Sequence, residues 1–214
     1  MNLDSHGREA HTDTPSIPWL NGEHVTSGPP DSLAAVSYLP SLKPDAALLD
    51  VLRAYPGPAV PLLDYHEALL RGPSPFTVAE RELIAAYVSG LNACGYCHGI
   101  HQSTAEAFGL AEGTLEALLA DLETAPVDEK MRPVLRYVRK LTETPSRITP
   151  GDAEAILDAG WDEQALHDAA SICGLFNLMN RIVDGLGLVV SPEYRATSSN
   201  RLVDISYAGL KGKL

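Results

Sequence analysis

From Pro44 to Leu188 the apolar residues of this 214-residue chain recur at intervals of three and four, and no segment sustains the every-second-residue alternation of a half-buried strand. That restricts the chain to helices packed on helices. Leu48, Leu49, Val51 and Leu52 give a first amphipathic stretch and Leu62, Leu63, His66, Leu69 and Leu70 a second, with Gly57-Pro58 read as the break between them. Thr77, followed three residues later by Glu80, is a capping box that opens a helix through Leu83, Ile84, Tyr87 and Val88, and Ser89-Gly90-Leu91-Asn92 ends it. A further helix is predicted from about Ala93 to Phe108, with Gly109 in the place of a C′ glycine. Another begins near Thr114, and Asp128 is read as the cap of a helix carrying Met131, Val134, Leu135, Val138 and Leu141. Thr149-Pro150 starts the next, and Asp162 opens the longest, which runs through Cys173, Phe176 and Met179 toward Leu188. The expectation is one all-α domain of about seven to eight helices over residues 41–190. An N-terminal arm, partly irregular and rich in Ser, Thr, Pro and Gly, precedes it at 1–40, and a C-terminal extension without assignment follows at 191–214.

Charge narrows the partners. A formal net charge of −12 repels a phosphate backbone and anionic headgroups, so no nucleic acid and no membrane surface is expected as a partner, and a small molecule or a protein is. No apolar run approaches the roughly 18–20 residues of a membrane span, and the first thirty residues lack the apolar core of a secretory signal. A cytoplasmic location is expected. Three cysteines, two of them three apart, make no disulfide framework; in a reducing compartment that spacing points to metal binding or catalysis.

The two close cysteines lie in Cys94-Gly95-Tyr96-Cys97-His98-Gly99-Ile100-His101. A CxxC pair carries a reversible disulfide, a thiolate attacks peroxides or disulfides, and an imidazole beside it takes or returns the proton. On a helix turning about 100° per residue, Cys94, Cys97, His98 and His101 fall on one face and Tyr96 on the other. With Cys94 in the first turn, the helix dipole favours thiolate at both cysteines. His101, four residues past Cys97, reaches its sulfur directly or through one water. Glu82 reaches the same place if the chain turns at 89–92 and the two helices run antiparallel, and it then orients His101 or relays its proton. Zinc is disfavoured, because Cys94 and His101 are separated by roughly 10 Å of helix rise and no second ligand pair is present in the sequence. His98 is read as solvated or satisfied in the core, and Cys173 as a core cysteine. Asn177, Asn180, Arg181 and Asp184 form a polar stripe on the last helix, read as a network that ties it to a neighbour.

The spacing Glu82-x11-Cys94-x2-Cys97-x3-His101 resembles the signature of the alkylhydroperoxidase D-like proteins of the carboxymuconolactone decarboxylase superfamily. The run Ala79-Glu80-Arg81-Glu82-Leu83-Ile84-Ala85, the run 88–97 and the run from Phe176 to Gly187 are similar to its peroxidase-related branch, and together they cover roughly residues 40–190. The resemblance implies a helical subunit that forms a homo-oligomer (dimer, trimer or hexamer) without a metal or organic cofactor. It implies that Cys97 attacks a small hydroperoxide substrate, that Cys94 resolves the sulfenic acid to a disulfide, and that a Glu82–water–His101 relay takes the proton. An external dithiol or thiol-protein reductant restores the thiols. Tyr96 stands where the best-known branch has a histidine, and it is read as a packing residue on the opposite helix face. The expected function is therefore a thiol-dependent peroxidase of antioxidant defence with Cys97, Cys94, His101 and Glu82 as catalytic residues. The alternatives are a redox-responsive assembly or adaptor protein, whose disulfide controls oligomerisation or docking, and a decarboxylase like the superfamily's founding enzymes, whose chemistry does not use paired cysteines.

Overall fold

The computed structural model describes residues 37–189 and 191–214, so most of the expected N-terminal arm lies outside the described residues. Within them the chain is all-α, with no strand. The helices are α1 (Leu48–Ala54), α2 (Pro56–Arg71), α3 (Val78–Leu91), α4 (Gly95–Ala107), α5 (Thr114–Ala120), α6 (Met131–Glu143), α7 (Pro150–Asp158), α8 (Glu163–Gly185), α9 (Pro192–Asp204) and α10 (Ser206–Lys211). The first eight fall on the eight stretches that the periodicity marks. The last two build the segment left without assignment, and they bring the count to ten.

Capping fixes several starts as the sequence predicts. Thr77 Oγ1 accepts from the Glu80 N–H at 3.2 Å while Glu80 Oε2 accepts from the Thr77 N–H at 2.7 Å. Asp152 accepts from the Thr149 N–H at 2.7 Å, and Asp162 from the Ala165 N–H at 2.9 Å. Two starts differ from expectation. The break between α1 and α2 lies at Tyr55, and Pro56-Gly57-Pro58 forms the first turn of α2, where the missing proline N–H groups would have no helical partner anyway. Asp128 closes a turn in front of α6 by accepting from the Lys130 N–H at 2.8 Å; the helix itself begins at Met131.

The core is organised around α3, whose residues from Arg81 to Gly90 are all buried. A helix buried on every side must satisfy any charge that it carries. Arg81 does so by donating to the carbonyls of Leu69 at 3.1 Å and Gly72 at 2.7 Å, groups that the end of α2 leaves unpaired. α4 lies against α3, and the contacts Glu82–His101, Ala86–His98 and Ser89–Cys94 pair rising with falling residue numbers, so the two run antiparallel. α9 covers α4: Thr104 Oγ1 donates to Ser199 Oγ at 3.1 Å, and a Cβ on Gly99 would stand 3.0 Å from Arg195 Cδ, so a side chain there would displace the Arg195 side chain. α10 docks on α2, where the Glu67 carboxylate accepts from Ser206 Oγ at 2.5 Å and the Ala208 N–H at 2.8 Å.

The α3–α4 turn contains Ala93 at φ 56°, a left-handed residue that is not glycine. α8 holds this turn in place. Asn92 donates to Asn180 Oδ1 at 2.9 Å and Asn177 Oδ1 at 3.1 Å, Asn180 Nδ2 donates to buried Ser89 Oγ at 3.0 Å, and Arg181 donates to Asn177 Oδ1 at 2.9 Å. The asparagine stripe is thus a tie between helices. Asn180→Ala leaves Ser89 and Asn92 short of partners inside the protein, and chemical denaturation should show a loss of about 1–3 kcal/mol in unfolding free energy.

Candidate active site

Glu82 has no exposed surface, a position that disfavours a carboxylate anion unless donors surround it. Three do. Arg71 Nη1 from α2 lies 2.6 Å away, His101 Nδ1 from α4 lies at 2.7 Å, and Tyr207 Oη from α10 donates at 3.3 Å. Burial pushes the Glu82 pKa up, but the charges and hydrogen bonds of His101 and Arg71 outweigh it and the net shift is downward. Glu82 is therefore ionised, and because a carboxylate can only accept, the proton on His101 must sit on Nδ1. In the neutral ring that leaves Nε2 as the nitrogen able to receive a proton.

The surroundings hold this arrangement. The edge of Phe176 on α8 meets the His101 ring at 4.5 Å between centroids. The Arg71 guanidinium stands 5.1 Å from the centres of both the Phe108 and Tyr207 rings. Tyr207, pushed well above the usual tyrosine range first by burial and then by the Glu82 charge, keeps its proton as a donor. His66 lies against Tyr207 at 5.1 Å and donates through Nδ1 to the Leu62 carbonyl at 2.8 Å; burial lowers its pKa to about 4, so it adds no second cation at neutral pH.

All three cysteines are free and buried. Cys94 is the N-cap of α4, at φ −81° and ψ 88°, and its carbonyl accepts from the His98 N–H at 3.0 Å. The expectation that the helix dipole favours thiolate at both cysteines does not hold for it. Its thiol hydrogen-bonds to Cys97, and this bond first, with burial next, pushes the Cys94 pKa far up. Asp184 of α8, itself raised by burial, also hydrogen-bonds the Cys94 thiol. Cys173 sits in the core with Thr142 Oγ1 at 3.3 Å.

The face assignment also needs correction. Tyr96, Cys97, Ile100 and His101 all line one cavity, whereas Cys94 and His98 do not. Spacings of one, four and five residues make a single helix stripe. Cys94 precedes the helix proper, and His98 turns instead toward α3, with Nδ1 3.2 Å from the Ala86 carbonyl. Tyr96 is accordingly a cavity wall as well as a packing residue, and its hydroxyl accepts from the Leu48 N–H at 3.0 Å. Among the described residues no three of His, Cys, Asp and Glu converge as metal ligands.

Of the four residues singled out from the sequence, the fold joins Glu82 to His101 directly and sets Cys97 in the same cavity wall as His101, with the Cys94 thiol hydrogen-bonded to that of Cys97. Arg71 and Tyr207 escaped sequence reasoning. Arg71 ends an apolar helix where a last-turn cation is commonplace, and Tyr207 lies in a segment whose pattern gave no assignment.

Comparison with known proteins agrees with this architecture. Residues 61–140, which include Arg71 and the whole Glu82–His101 signature, match the sequence model of the Carboxymuconolactone decarboxylase family (CMD). The chain is 29% identical over 107 residues to the uncharacterised protein YdfG of Bacillus subtilis (strain 168), spanning 50% of this chain and 73% of that one. Among solved structures it is similar to an uncharacterised peroxidase-related protein of Silicibacter sp. TM1040, with a TM-score of 0.61, 26% identity, and coverage of 69% of this chain and 78% of that one. It shares the fold of the alkylhydroperoxidase AhpD core of a peroxidase-related protein from Ralstonia eutropha JMP134, at a TM-score of 0.61, 24% identity, and coverage of 70% and 78%. The signature residues thus lie in a segment that matches the Carboxymuconolactone decarboxylase family, on a fold similar to that of a peroxidase-related protein.

Proposed function

We propose that the chain is a thiol-dependent peroxidase that reduces hydroperoxides through a Cys94–Cys97 disulfide cycle. The observation that carries this reading is the buried Arg71–Glu82–His101 chain, whose last member shares a cavity wall with Cys97. His101 Nε2 takes the Cys97 proton, and the thiolate attacks the outer peroxide oxygen. The O–O bond breaks, the alcohol leaves with a proton, and Cys97 becomes a sulfenic acid. Cys94 then loses its proton as its sulfur attacks Cys97 Sγ; water leaves and the disulfide forms. An external dithiol or thiol protein supplies the two electrons that restore both thiols. The hydrogen bond between Cys94 and Cys97 supports the pairing of these two sulfurs in one cycle.

Two experiments test the cycle. Cys97→Ser should abolish peroxide turnover in a coupled assay, whereas Cys94→Ser should form a single sulfenate per chain, trapped by dimedone and seen by mass spectrometry. Multiple turnovers by Cys97→Ser would sink the proposal. His101→Asn should slow thiol oxidation at pH 7 by about 10²–10⁴-fold in stopped flow, the range expected for loss of a general base. Raising the pH should recover the rate, since hydroxide can take the thiol proton in place of the imidazole. A slow variant whose rate ignores pH would mean that His101 has only a packing role.

A further inference from the structure

The cavity beside Cys97 has a chemistry that the peroxidase cycle itself does not require. Its walls are mainly aliphatic and aromatic, including Leu52, Leu63, Ile100, Phe176, Met179 and Leu202. Hydrogen peroxide needs no such lining. Burial grades along it: Cys97, His101 and Phe176 are buried, while Leu49, Ser198 and Arg201 are only half-buried. The reacting thiol therefore lies at the closed end, and the half-buried residues form the open one.

Among the described residues, one permanently charged side chain lines this space, Arg201 of α9. No ion pair or hydrogen bond with another described residue engages its guanidinium. Ser198, three residues before it on the same helix, adds a hydroxyl to the same wall. In a chain with a net charge of −12, an anion is repelled almost everywhere, so a lone cation at the mouth of an apolar cavity is a selective feature. α1, α9 and α10 supply the outer wall, all outside residues 61–140.

We infer that this cavity is an amphiphile site that selects hydroperoxides bearing an alkyl chain and a carboxylate, with Arg201 as the carboxylate's partner. The inference rests on the peroxidase reading and names its substrate class. The alkyl chain fills the aliphatic wall, the peroxide meets Cys97 at the closed end, and the carboxylate stays at the mouth against Arg201 and Ser198. The carboxylate takes no part in the chemistry: the peroxide gains two electrons and two protons to give a hydroxy acid and water, and the two thiols become the disulfide.

Binding and turnover are measured separately. For binding, dodecanoate and methyl dodecanoate are titrated against the reduced full-length protein and its Arg201→Gln and Arg201→Lys variants. Dodecanoate should bind the unaltered protein more tightly than its ester. Arg201→Gln should weaken dodecanoate by about tenfold or more, the loss expected for one charge-assisted hydrogen bond, and Arg201→Lys should keep part of the preference. For turnover, the kcat/KM ratio of a fatty-acid hydroperoxide to its methyl ester should exceed one and collapse toward one in Arg201→Gln. Failure of dodecanoate to bind, or an acid-to-ester preference that survives Arg201→Gln, overturns the inference. Arg201-dependent binding of dodecanoate without turnover of any hydroperoxide overturns the peroxidase reading instead and leaves a carboxylate-amphiphile site.

Discussion

A carboxylate with no exposed surface is the constraint on which the rest of this structure depends. Glu82 sits on the helix at the centre of the fold, and an uncompensated charge there would cost about 3–5 kcal/mol, a large part of the roughly 5–15 kcal/mol that keeps a domain folded. Its partners come from three different helices: Arg71 from α2, His101 from α4 and Tyr207 from α10. Each must arrive at a fixed place, so one buried charge sets the relative positions of elements distant in sequence. The same charge decides the chemistry of the imidazole. With Nδ1 committed to Glu82, His101 can present only Nε2 to a proton donor.

The dithiol depends on a second constraint, the tight turn between α3 and α4. A left-handed alanine costs on the order of 1 kcal/mol, and the asparagine tie from α8 holds the backbone there regardless. As a result Cys94 caps α4 from outside while Cys97 lies within its first turn, and the two sulfurs differ although they are three residues apart. The Cys94 thiol is pushed up by its hydrogen bond with Cys97 and by burial, and Asp184 bonds it as well.

Most of the fold was legible because helix signals are local. Thr77 with Glu80, Thr149 with Asp152, and Asp162 carry their own start instructions within four residues, and the apolar period does the rest. The Glu82–His101 pairing was legible for the same reason, since a turn at 89–92 is the one bend needed to bring them together. Helical phase failed where its premise failed: Cys94 is outside the helix, so an angle counted from it assigns Tyr96 to the wrong side. Arg71 and Tyr207 were illegible because their role exists only across helix interfaces. Nothing local distinguishes an arginine that closes a helix from one that neutralises a buried acid.

The C-terminal helices give the site an order of assembly. Glu82 and His101 stand 19 residues apart and their turn closes early, whereas the Tyr207–Glu82 bond spans 125 residues and the anchors of Glu67 to Ser206 and Ala208 span 139 and 141. Contacts so far apart form late, because a long loop must close before they contribute anything. A chain synthesised from its N-terminus therefore brings its thiols and imidazole together before their cover exists. Until α10 docks, the cavity beside Cys97 lacks the part of its wall that Tyr207 and Leu210 supply, and Glu82 lacks its third donor.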